Sequence, residues 1–306
     1  MSPVDDHASS PGPPAMSLFP QFLLDSLLLG GLYCLMAVGL ALAFGVTRII
    51  NFAHGEMIML GAYGAYVLAA FAGIDPLLSL PLVAFAVALV GFVVFRLALE
   101  RALDAPHINQ ILLLFGVGLI IQNIAALAFT GDERSVTTAY SLAAGSLWGV
   151  TIPYGRLIAF GVSIALTVGL LVWLRYSEVG RAIQAVAQRA DAARLVGINV
   201  TAMYMLSFMV SAALGAATGA VVSFLLTISP FMGFHMLVKG FAIVVLGGLG
   251  SIGGTLIAAF LLAFAETAVA YYVPEGGGWA EGVALVVLFV VLILRPRGIL
   301  GHAVDD

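Results

Sequence analysis

The strongest constraint on this chain is the length and spacing of its apolar runs. From Leu18 onward they follow one another with polar breaks between them: Leu18–Phe44, Met57–Gly73, Pro76–Leu99, Asn109–Thr130, Pro153–Leu174, Thr201–Ile228, Leu237–Val273 and Gly278–Leu294. Each could carry a helix across, or most of the way across, a hydrocarbon core ~30 Å thick. Composition agrees: 62% of residues are hydrophobic and 9% charged, against about 25% charged in a soluble domain. A water-soluble fold is therefore excluded. A membrane β-barrel is disfavoured as well, because its strands would be shorter and would alternate apolar with polar residues.

Length also shows where runs must break. As a single helix, Leu237–Val273 would measure about 55 Å at ~1.5 Å per residue, far more than the bilayer core. The glycine-rich segment Gly247–Gly254 is the natural interruption. Leu18–Gly73 is longer still and must break near Asn51–Gly55. The expected fold is all-α: a polytopic transmembrane bundle of about nine crossings (eight to ten), with broken helices near 51–55 and 247–254. One transmembrane domain spans 18–301, with a polar loop at 175–200. Residues 1–17 lack Lys and Arg, unlike a signal peptide, and read as a disordered leader; 302–306 form a tail.

Arginine placement orients the bundle. Arg96 and Arg101, then Arg175, Arg181, Arg189 and Arg194, then Arg295 and Arg297, mark segments expected on the cytoplasmic side, together with the C-terminus. Gly131–Thr151, where Arg134 lies beside Asp132 and Glu133, is expected outside, as is the N-terminus.

Other classes fall away quickly. Twelve Lys plus Arg against 16 acids give a formal net charge of -4, so no basic face points to nucleic acid. Cys34 stands alone, which excludes a disulfide framework or a cysteine zinc site. Lys239 is the single lysine and Gly240 follows it, so a phosphate-binding G-x-x-x-x-G-K-[ST] loop is impossible. No H-E-x-x-H or G-x-S-x-G motif is present, and the chain reads as a non-enzyme without a cofactor of its own.

Three segments carry candidate function. Asn51-Phe52-Ala53-His54-Gly55-Glu56 places an amide, an imidazole and a carboxylate inside an apolar region. It reads either as an ordinary turn between spans or as a break lining a pathway, since irregular backbone at bilayer depth is tolerated only inside protein or beside water. No second histidine at ligand spacing accompanies His54, so a metal site is not expected. Gly247, Gly248 and Gly250 belong to a run whose helix-breaking glycines imply close packing or a backbone break; it could be the second-half counterpart of the first break. In Gly180–Val200, Ile183, Val186, Ala190 and Ala193 recur at helical spacing and form one apolar stripe. That stripe needs a receiver: membrane surface, its own domain or a partner groove. Gly197 is placed like a C-terminal cap. Within apolar runs, Glu266 is set for a pairing or functional role, whereas Asp25, Lys239 and His235 are expected to reach toward span ends.

Asp191-Ala192-Ala193-x-x-x-Gly197 resembles the E-A-A-x-x-x-G loop by which importer permeases dock on their ATPases, with Asp in place of Glu. Together with GVTRIINFAHGEMIMLGAY (45–63), VVLGGLGSIGGTLIAA (244–259) and LRPRGILG (294–301), the chain from about Leu18 to Gly301 resembles branched-chain amino-acid ABC transporter permeases of the LivH type. The resemblance implies an inner-membrane subunit paired with a LivM-type permease, two cytoplasmic ATPases carrying ATP and Mg, and an external substrate-binding protein. It implies docking through Arg181, Ile183, Val186, Asp191, Ala192, Ala193, Arg194 and Gly197. A pathway through Asn51, His54, Glu56, Gly247, Gly248, Gly250 and Glu266 follows more loosely. Permeases of similar pattern serve urea or short amides, and a stand-alone ion-coupled carrier using Glu56 or Glu266 is the competing mechanism.

Overall fold

A computed structural model describes residues 15–147, 149–294 and 298–300. The leader to residue 14, Arg295, Arg297 and the tail 302–306 lie outside the described residues. The elements in chain order are α1 (Ala15–Thr47), α2 (His54–Ala72), α3 (Pro76–Val94), α4 (His107–Phe129), α5 (Ala139–Leu142), a hairpin of β1 (Ala144–Leu147) and β2 (Val150–Pro153), α6 (Tyr154–Tyr176), α7 (Glu178–Gln188), α8 (Ala190–Leu195), α9 (Val200–Val222), α10 (Met232–Gly247), α11 (Ile252–Tyr272) and α12 (Gly276–Leu294). Among the described residues, seven helices are long and apolar enough to cross a membrane, and Met232–Gly247 and Gly282–Leu294 are shorter apolar helices. The polytopic helical bundle is thus as expected.

α1 is the central post. It packs against α6, α9, α10 and α11, and most of its residues from Leu28 onward are buried. It ends at Thr47, and Arg48 takes the left-handed conformation (φ 58) that turns the chain back. A non-glycine residue held there carries a strain of roughly 1–2 kcal/mol. The Arg48 guanidinium reaches the Ala187 carbonyl at 3.3 Å, tying the turn to α7. From this turn the chain runs back along α1, and α2 begins beside Met36, about midway between Asp25 and Thr47.

The second half repeats this plan upside down. α9 runs toward the hairpin end, and the return segment 223–231 pairs there with the segment after α4. Arg134 and Ile228 exchange backbone hydrogen bonds at 2.9 and 2.6 Å, and Val136 N–H donates to the Ser223 carbonyl at 3.2 Å. α10 then begins inside the bundle and runs to the opposite end. The largest helix contacts are α3 on α9 and α1 on α11. These two pairings exchange if α1–α4 and α9–α12 are inverted copies, the architecture of many transporters.

Two expectations need correction here. The partner of the break at 51–55 is the return 223–231, not Gly247–Gly254. The glycine segment does interrupt the helices, but as a tight turn at the arginine-bearing end, where Gly250 lies against Gly45. Secondly, the apolar run expected to start at Leu237 belongs to a helix already under way at Met232, because Pro230 and the preceding polar residues end the return segment.

At the hairpin end, Tyr140 donates to Asp75 at 3.0 Å. Burial, and then this hydrogen bond, push its phenol up to about 12. At the other end, Ile299 and Leu300 donate backbone hydrogen bonds to Leu246 and Gly247, so the described C-terminal residues sit with Arg48 and α7.

Candidate functional site

The six residues Asn51–Glu56 form a built start to α2 within the bundle. Asn51 closes the turn ahead of it: its side-chain oxygen accepts from Ala53 N–H at 3.0 Å and its carbonyl accepts from His54 N–H at 3.1 Å. His54 is buried between α1 and α9. Its Nε2 lies 3.3 Å from the Met36 carbonyl and its Nδ1 3.3 Å from Ser211 Oγ. A carbonyl can only accept, so Nε2 carries the proton and Nδ1 accepts from Ser211. His54 is therefore a brace between helices. No group of three or more His, Cys, Asp or Glu suited to a metal occurs among the described residues.

Glu56 lies in the first turn of α2 at 6% exposure. Its carboxyl group sits over Gly233, where a Cβ would come within 2.7 Å of Glu56 Cδ. Gly233 is in the first turn of α10, whose start has no side-chain cap; a carboxylate there complements the positive end of the helix dipole. The two half-helices cross at glycine on glycine, since a Cβ on Gly55 would run into the Gly233 carbonyl. Beside the crossing is a cavity of about 270 Å³ lined by Glu56, Phe52, Phe115, Gln122, Phe231, Phe234 and His235, among others. Glu56 Oε2 has no hydrogen-bond partner among the described residues.

Glu266 belongs elsewhere. The Tyr33 hydroxyl donates to its Oε2 at 2.5 Å, and Lys239 Nζ lies 3.5 Å from the same oxygen and 3.3 Å from the Tyr33 hydroxyl. The pairing role expected for Glu266 is present. Lys239, expected to reach a span end, instead turns inward to this pair. Glu266 lines a second cavity of about 380 Å³ with Asp25, Arg156 and Tyr271. There Asp25 accepts from Arg156 at 3.3 Å, from Gln21 at 3.2 Å and from Tyr271. Glu56 and Glu266 thus line different cavities rather than one.

Gly247, Gly248 and Gly250 are brought to neither. Gly248 (φ 103) and Gly250 (φ 84) supply left-handed backbone for the α10–α11 turn, and a Cβ on Gly247 would strike Gly254 and Thr255.

The segment 178–197 forms two short helices rather than one, because Arg189 leaves helical geometry (φ -151, ψ 100). Ser177 caps the first by accepting from Gly180 N–H at 2.8 Å. Ile183, Val186 and Ala193 are buried in a cluster with Leu42, Val46, Leu170 and Leu174. The receiver of the stripe is the chain's own bundle. Gly197 does cap the second helix at φ 84. Arg181, Asp191, Ala192, Arg194 and Gly197 remain exposed. Leu195 and Val196 stand out at 90% and 75% exposure, two apolar side chains that the stripe pattern did not single out. Residues missed at the site itself are Gly233, Phe231, Phe234 and Ser211. Pro230 just ahead of Phe-Met-Gly-Phe-His is a helix-start signal that could have found the first three; nothing local marks Ser211.

The family model described as branched-chain amino acid transport system / permease component matches residues 22–294. The permease protein BraD of the high-affinity branched-chain amino acid transport system of Pseudomonas aeruginosa is 32% identical over 302 residues, covering 94% of this chain and 98% of that protein. The LivH permease of Escherichia coli is 29% identical, covering 93% and 96%. Among solved structures, PsaBC from Streptococcus pneumoniae in complex with Fab has a similar fold (TM-score 0.50, 12% identity, covering 92% of this chain and 96% of that one). The half-helices that start inside the bundle, the helices held at its arginine-bearing end and the match along nearly the whole sequence lead to one conclusion: this chain is a multi-pass membrane protein belonging to the branched-chain amino acid transport permease family.

Proposed function

We propose that the chain is one permease subunit of an ATP-driven importer of branched-chain or other neutral amino acids. It forms half of the translocation path beside a LivM-type permease. Two cytoplasmic ATPases hold ATP and Mg, an external binding protein delivers the solute, and this chain makes and breaks no covalent bond. The observation that carries the docking role is the construction of α7 and α8. Their apolar stripe anchors them to α1 and α6, while Leu195 and Val196 project outward at the end that carries Arg48, Arg96 and Arg175. Exposed large apolar side chains on a rigidly held helix pair are what a partner groove takes up. The arginine bias favours this end as cytoplasmic, which places the N-terminus outside. Closure of the ATPases then moves α7 and α8, and through Ile183, Val186 and the Arg48–Ala187 link, the end of α1. The path runs past the start of α2 at Asn51, His54 and Glu56. The Gly247–Gly250 turn lies away from this path, and Glu266 serves as a structural pair.

The test is co-purification with the ATPases, followed by leucine uptake in liposomes. Leu195→Asp with Val196→Asp should leave the permease folded and abolish both ATPase retention and uptake; full retention would refute docking here. Uptake that follows a proton gradient in the absence of ATP would instead favour the ion-coupled carrier.

A further inference from the structure

We propose that the cavity where α2 and α10 begin is this subunit's half of a binding site for a neutral amino acid in transit, Glu56 receiving its ammonium group and the phenylalanines around it the aliphatic side chain. The assignment rests on the importer function above and gives it a place and a chemistry.

The unsatisfied acid carries the argument. A buried polar atom left unpaired costs on the order of 1–3 kcal/mol, and Glu56 Oε2 is such an atom, in a residue 6% exposed that lines the cavity. At the larger cavity, Asp25 and Glu266 each already hold Tyr, Arg, Gln or Lys partners. A ligand with N–H donors and positive charge would satisfy Glu56. Among the described residues, no Lys or Arg lines the same cavity to compete for it. Phe52, Phe115, Phe231 and Phe234 supply apolar walls and ring faces, which hold an aliphatic chain and favour an ammonium group beside them. A volume of about 270 Å³ lies just below the range of drug-sized sites, ~300–1,000 Å³, and suits a small solute.

The open side supports the same assignment. His235 is exposed and Gln122 half-buried on the cavity wall, with Phe231 and Phe234 beside them. Polar side chains at this depth are costly against lipid, so the face is suited to water, solute or the second permease.

The experiment uses the assembled importer carrying Cys34→Ala, with Leu119→Cys on the cavity wall and Leu82→Cys on the exposed face of α3 as a lipid-side control. A charged, water-soluble thiol reagent should modify the cysteine at 119 and leave that at 82 intact, and leucine during turnover should slow the reaction severalfold. Glu56→Gln should lower leucine uptake about tenfold, the scale of one lost charge-assisted hydrogen bond, with the ATPases still bound, and Glu56→Asp should recover part of it. A cysteine at 119 as inert as that at 82, or unprotected by leucine, overturns the site. So does full uptake by Glu56→Gln. If Glu56→Gln fails to assemble, labelling and protection at 119 decide alone. A wild-type complex that moves no neutral amino acid refutes the importer function itself, a result separate from these.

Discussion

The two half-helices begin alike and are furnished differently. α2 starts with Asn51, His54 and Glu56, all buried, and two of these are held by hydrogen bonds to its own loop, α1 and α9. α10 starts with Phe231, Met232, Gly233 and Phe234, two of them exposed rings. The backbone plan is repeated, but the polar chemistry is loaded on the first copy and the aromatic surface on the second. Where they cross, an acid from one half faces the helix start of the other. An inverted repeat of this kind makes the geometry symmetric and leaves the site asymmetric, as recognition of a solute with different ends requires.

The comparison can be broken most severely at its shared element. Gly55→Val should prevent recovery of a monodisperse protein, since overpacking ordinarily costs about 1–3 kcal/mol and more where rigid backbone, here the Gly233 carbonyl, is the obstacle. Gly161→Ala, which has open space around it, should behave as wild type in the same size-exclusion assay. If Gly55→Val were tolerated, the close crossing would be wrong.

Next in size is Lys239, seven residues into α10. Lys239→Met should lower stability by about 3–5 kcal/mol, because it leaves Glu266 buried without its cation, while Lys239→Met with Glu266→Gln should recover much of that loss. A thermal-melt double-mutant cycle reads this directly; additive losses would show the pair to be independent.

At the polar start, His54→Leu should cost about 1–3 kcal/mol by leaving the Ser211 hydroxyl without its acceptor and removing the bridge to the Met36 carbonyl. Ser211→Ala in that background should add little. At the aromatic start, Phe231→Ala should shift thermal stability by no more than about 0.5 kcal/mol, as for most exposed positions. Equal losses at His54 and Phe231 would erase the contrast between the two halves.

Much of the fold was legible from hydropathy. The number and length of apolar runs, the necessity of breaks near Asn51 and Gly247, and the amphipathic stripe at Ile183, Val186 and Ala193 all follow from local pattern. So did the cap at Gly197, because positive φ favours glycine there. The destination of the stripe was not legible: periodicity reports that one face is apolar, not what covers it. The polar residues in apolar runs gave a similar half-answer. Depth sets Glu266 for pairing, but sequence alone does not place Lys239, since snorkelling and interior pairing look identical until a partner's position is known.

What the linear pattern settled, then, is the solvent this chain folds in and the periods of its helices, because burial in a bilayer depends on the residues of each run alone. Which run packs on which was settled only in three dimensions. His54 meets Ser211, Tyr33 meets Glu266, and Gly55 meets Gly233, partners more than 150 residues apart. Within lipid those choices rest on close backbone approach and on satisfying buried polar groups. Both are properties of pairs of surfaces, and neither leaves a mark on a single stretch of sequence.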